Sequence, residues 1–169
     1  MAVSNRSRWL LVLAALVGIV LTAYIARSRV EHWTRAQLAA RHQRQLARLA
    51  VEDAVLLVAR LAEADDEYLD IVVLALADSR PQVTDAARQA LAGRVQLWSH
   101  WPVGDSSPRV AALADLLARS AEQIPAERRW FTQSLAAQLL VWPVDGRGVD
   151  TQQLIADCER VLRLPTVQP

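Results

Sequence analysis

Residues 9–26 read WLLVLAALVGIVLTAYIA, eighteen positions without a charge. At about 1.5 Å per residue, a helix of that length approaches the hydrocarbon thickness of a bilayer. The run is apolar on every side, so it is not one face of an amphipathic helix. Trp9 and Tyr24 stand near its ends, where amphipathic rings favour the interface, and Arg6, Arg8, Arg27 and Arg29 flank it and can snorkel. We expect an N-terminal tail over 1–8 and a single transmembrane helix over 9–26, with membrane lipid as a partner. A cleaved signal peptide fits less well: its apolar region is normally about 7–15 residues, and the segment TAYIARS offers no small-x-small cleavage site. Arg27, Arg29, Arg35, Arg41 and Arg44 outnumber Arg6 and Arg8 across the span. The positive-inside rule then puts the C-terminal domain on the cytoplasmic side of the cell (inner) membrane.

The charge divides at the same place. Residues 1–50 hold eight arginines and one acid, whereas residues 51–169 hold eleven arginines and seventeen acids. The basic part, 27–50, contains neither Gly nor Pro and reads as a helix leaving the membrane. Arg41, Arg44 and Arg48 share one side of it, and Val30, Trp33, Leu46 and Leu49 make a thin apolar stripe. That pattern suits a lipid-headgroup collar, a coiled-coil stalk or a solvated linker. The acidic part is a poor match for phosphate, so no nucleic-acid partner is expected.

From 51 to 165 the apolar residues keep a helical period, with no alternating strand pattern of useful length. The expected class is all-α: the transmembrane and stalk helices, then about three antiparallel helical hairpins, then a short tail over 166–169. Helices are read over 51–64, from an Asp65 or Asp66 cap to 77, from Pro81, from Ser107-Pro108, from Pro125, and from an Asp150 cap. The segment LDIVVLALA, apolar almost all round, should be the most buried. Stripes are read as Val55, Leu56, Val58, Leu61; as Val110, Leu113, Ala114, Leu117; as Phe131, Leu135, Leu139, Trp142; and as Leu154, Ile155, Cys158, Val161, Leu162.

The stretch DSRPQVTDAARQAL resembles the second helix of a HEAT repeat, on Asp78, Pro81, Val83, Ala87, Ala90 and Leu91. It departs at Thr84, where such units usually carry Arg, and the unit is shorter than the family's usual ~40 residues. Residues 105–118 repeat the acid, proline, Val and Ala at Asp105, Pro108, Val110 and Ala114, without the closing Ala-Leu. The chain as a whole also resembles short membrane-anchored HEAT-like proteins of bacteria. The resemblance implies a short α-solenoid acting as a docking scaffold for proteins.

Chemistry is sparse by comparison. There is no lysine, which excludes a P-loop, protein-kinase machinery and Schiff-base catalysis. One cysteine, Cys158, allows neither an internal disulfide nor a Cys zinc cluster, and it falls on an apolar stripe. His32 and His42 lack helical metal partners, and His100 has only Asp105, Ser106 or Glu127 to combine with. Asp65, Asp66, Glu67 and Asp70 read as a helix start rather than a cation loop. No catalytic, metal or cofactor set is assigned.

Trp98, Trp101, Trp130 and Trp142 read first as core. Arg128, Arg129 and Trp130, grouped near a helix start, form the candidate protein interface, since Trp and Arg anchor such surfaces. The expected function is a membrane-anchored helical scaffold for an unidentified protein partner, without catalysis. Alternatives are a subunit of an envelope assembly with a coiled-coil stalk, and a membrane-tethered hydrolase.

Overall fold

Prolines and short polar breaks decide where each helix begins. The computed structural model describes residues 41, 44–64 and 66–167. The expected transmembrane span, its flanking Arg6, Arg8, Trp9, Tyr24, Arg27 and Arg29, and the stalk up to residue 40 lie outside the described residues. No helix among the described residues is long and apolar enough to cross a membrane.

All regular structure among the described residues is helical. Six α-helices follow one another: α1 Val51–Glu63, α2 Leu69–Ala75, α3 Pro81–Ser99, α4 Val103–Ser120, α5 Arg129–Leu140 and α6 Thr151–Leu162. Short 3-10 turns, Asp66–Tyr68 and Ala126–Arg128, precede α2 and α5. Apart from Arg41 these residues belong to one compact unit, His42–Pro169. Residues 44–48, upstream of α1, are helical as well.

Pro81 takes the first position of α3, where a missing N–H costs nothing and φ is already helical. Asp150 caps α6, accepting from Gln152 N at 3.0 Å and Gln153 N at 3.1 Å. Three of the expected starts differ, the first being the helix expected from Pro125, where a 3-10 turn stands before α5 begins at Arg129. The fourth helix begins at Val103, not at Ser107-Pro108, and Pro102 precedes it in an extended conformation. Pro108 lies inside the helix, and the hydroxyls of Ser106 and Ser107 turn back to the Val103 carbonyl at 3.3 and 2.5 Å. Those two serines are buried, so they serve the interior instead of capping a helix at the surface. Nor does Asp66 cap α2; its carboxylate is turned to Arg94 and Arg109.

The core follows from the apolar pattern. Leu69 and Val72 to Leu76 of the α2 region are all buried, as the all-round apolar run requires. Val83, Ala87 and Leu91 of α3 and Val110, Leu113, Ala114 and Leu117 of α4 are buried on one side of each helix. Burying each Val or Leu contributes about 1.5–3 kcal/mol. Leu46, in the segment read as stalk, is 3% exposed and belongs to the same core. Two stripe positions turn outward: Leu56 is exposed, and so is Ile155. Both lie at the margin of their stripes, where Ala54 and Leu154 take the buried places.

Helices pack both on their chain neighbours, most closely α5 on α6, and on the next helix but one. α1 packs chiefly on α3 and α4 on α6, with α2 joining the first pair to α4. Consecutive α3 and α4 touch little.

Candidate functional site

Small side chains on two helices make a groove. Between α1 and α3 lies an apolar hollow of about 520 Å³, with Ala59 and Ala62 on one wall and Ala86, Ala90, Gly93 and Leu97 on the other. Nothing lies within 4 Å of where a Cβ on Gly93 would stand, so the glycine opens space that the fold itself does not fill. Leu97 is 44% exposed on this side and Leu56 is exposed on α1. An apolar groove walled by small residues with a leucine at its margin suits a helix laid into it.

Arg94 also lines the groove, and its charge is held from below. Its Nη1 is 3.6 Å from Asp66 Oδ1, beyond hydrogen-bond reach, while Arg109 Nε bonds the other oxygen of the same carboxylate. Two guanidiniums thus share one carboxylate. Nε and Nη2 of Arg94 are buried without an acceptor among the described residues. Arg109 stacks its guanidinium 4.6 Å from the Trp101 ring centre and donates to the Asp105 carbonyl at 2.7 Å. Trp98 is completely buried beneath.

A second polar centre ties the α2–α3 loop. Asp78 accepts from Arg80 Nε at 2.8 Å, Arg80 Nη2 at 2.6 Å and the Arg80 backbone N–H at 2.9 Å. The Arg80 side-chain bond pulls the Asp78 carboxyl below its ordinary value, against the opposing effect of burial. The same pairing raises Arg80 above its own.

The candidate interface residues separate. Arg128 donates to the carbonyls of Asp78 and Ser79 and to Thr84 Oγ1 at 3.0 Å. Arg129 donates to the carbonyls of Ile124 at 2.8 Å and Pro165 at 3.1 Å. Both arginines therefore tie loops within the chain. Trp130 is 45% exposed, with Phe131 edge-on to it and Arg88 5.1 Å over its ring. Sequence reading missed the Asp66–Arg94–Arg109 and Asp78–Arg80 pairs. The second left a local trace, an acid and an arginine two apart before a proline.

The groups considered for chemistry do not converge. His100 is exposed at the end of α3, its ring without a hydrogen bond or ion pair to a described residue; Asp105 and Glu127 are exposed too. His32 and His42 lie outside the described residues. Cys158 is buried, and burial, with Asp157 beside it, pushes its thiol up to about 11. No group of three or more metal-ligating side chains occurs among the described residues. Set against family models, curated proteins and solved structures, the chain matches none.

Proposed function

We propose that the chain is a membrane-anchored helical scaffold that binds a protein partner through the α1–α3 groove and catalyses no reaction. The observation that carries this reading is the groove itself: small residues on two packed helices, an exposed leucine beside it, and space that no described residue fills. The i-to-i+2 packing of α1 on α3 and of α4 on α6 supports a short HEAT-like solenoid. The eighteen-residue uncharged run supports a single-pass anchor in the cell membrane, and the arginines that follow it support a cytoplasmic domain.

Site-directed photo-crosslinking in intact cells tests the proposal. Gln89 and Leu97 both line the groove and are exposed, whereas Gln138 is exposed on α5. A photoreactive residue at either groove position should give one discrete adduct that the Gln138 position lacks. Equal adducts from all three positions, or none from the groove, would overturn the reading. A C-terminal reporter active only outside the cytoplasm would overturn the orientation.

A further inference from the structure

α1 carries two exposed leucines between two opposite charges. Leu56 is 56% exposed and Leu57 36%, side by side on the outward face, and neither lines the groove. Asp53 stands three residues before Leu56, and Arg60 three residues after Leu57. At about 100° per residue the two ions project between the leucines, roughly one turn to either side along the axis. Both are exposed, and their side chains make no hydrogen bond or ion pair with a described residue. Seven positions apart, they do not meet on their own helix. Each suits its own end of the helix dipole, but that leaves two adjacent leucines in water between them.

The order acid, Leu-Leu, base is its own complement when the helix is reversed. We propose that this face binds a second copy of the chain, α1 antiparallel on α1, about a twofold axis between Leu56 and Leu57. The leucines of the two copies then pack at the centre, and Asp53 of each copy meets the partner's Arg60, once at either end. A twofold contact demands such self-complementarity, because residue i touching j means that j also touches i. A parallel pair would instead set Asp53 against Asp53 and Arg60 against Arg60, and like charges cost affinity. The antiparallel pair has an apolar centre and a charged rim that water still reaches. Glu52 and Glu63 lie about a quarter turn aside, on the solvent flank. One helix face is smaller than the ~800 Å² per partner of a standard interface, so the dimer is weak and depends on concentration.

Cross-linking of the purified full chain, at high concentration in detergent micelles, tests the contact. Asp53→Cys and Arg60→Cys are made in separate copies that differ in tag length, and both positions are exposed, so the core is untouched. In the antiparallel pair the two unlike positions face each other, whereas like positions stand about 10 Å apart along the axes. A short bis-maleimide should therefore join Asp53→Cys copies to Arg60→Cys copies and give little product from either alone. The parent chain, whose one cysteine is buried, sets the background. Charge reversal gives an independent measurement. The chain has no lysine, so amine-reactive dyes mark the N-terminus alone, and energy transfer between donor- and acceptor-labelled copies reports association. Asp53→Arg and Arg60→Asp should each weaken association by about tenfold, and both reversals in one chain should restore it. Like-with-like adducts as strong as the mixed one, no mixed adduct above the parent's background, or a double reversal as weak as either single one would overturn the proposal. None of these variants changes a residue of the groove, so docking of another protein there stands or falls separately.

Discussion

Arg128 Nη1 lies 3.0 Å from the hydroxyl of Thr84, forty-four residues earlier in the chain, and completes a loop that α3 cannot close alone. Thr84 Oγ1 also faces the Asp78 and Arg80 carbonyls at 3.1 and 3.3 Å, so it donates into the loop and accepts from Arg128. Arg128→Ala should lower stability by about 1.5–3 kcal/mol, the range for losing charge-assisted bonds to partly buried groups. Urea unfolding reads the loss. A variant as stable as the parent would place Arg128 back on the surface as a free interface residue.

Asp78 makes stability depend on acid. Its folded pKa is depressed below the ordinary 3.8, chiefly by Arg80, so the unfolded chain binds the proton more readily. The stabilisation is therefore complete above the unfolded value and is lost as pH falls through the folded one. Asp78→Asn should be less stable than the parent by a constant margin above about pH 5, and that margin should shrink below about pH 4. Chemical denaturation in neutral, mildly acidic and strongly acidic buffer gives the three margins, and a gap that widened in acid would contradict the assignment.

What the sequence discloses is local, and what it hides is distant. Pro81 and Asp150 could be placed because their work is done within four residues. Ser107-Pro108 carries the same local signal, yet the helix starts at Val103. The deciding contacts come from elsewhere: Ser107 Oγ accepts the Asp145 N–H at 2.9 Å, and Trp142 Nε1 approaches Ser106 Oγ at 3.4 Å. Asp66 reads as a cap for the same reason, because Arg94 and Arg109 are invisible from its neighbourhood. The groove was equally hidden. Alanines at helical spacing show a small-residue face, but not whether a neighbouring helix fills it.

Cys158 should be inert while the fold is intact. With its pKa pushed up to about 11, almost no thiolate exists at neutral pH, and the buried position denies access as well. A disulfide-exchange reagent should therefore modify it only at the rate of opening, and about as fast as a free thiol once urea unfolds the chain. Rapid modification of the native protein would mean that α6 does not pack as described.

Asp66 holds two arginines, and removing its charge should affect both. Asp66→Asn leaves Arg94 buried without a counter-charge and deprives Arg109 of its carboxylate. Asp66 keeps some solvent access, so the cost falls below that of a fully buried pair, at about 1–3 kcal/mol. Arg109→Ala should cost less, because Arg109 is more exposed than Arg94. A thermal melt of the two variants orders them, and the reverse order would make the Arg109–Trp101 stack the dominant contact.

Gly93 separates stability from docking. It sits inside α3, where glycine costs about 0.5–1 kcal/mol relative to alanine through the backbone freedom lost on folding. A Cβ added there meets nothing within 4 Å, so Gly93→Ala removes that cost without creating a clash. The variant should be more stable by about that amount in urea unfolding. The same methyl group narrows the groove on its α3 wall. If the space exists to admit a helix, Gly93→Ala should gain stability and lose the photo-crosslinked adduct from Gln89, and Gly93→Leu should lose it completely. A stabilised variant that kept the adduct at full yield would mean that the partner does not enter the groove at this position, and the docking surface would then have to lie beyond Gly93, towards Leu97.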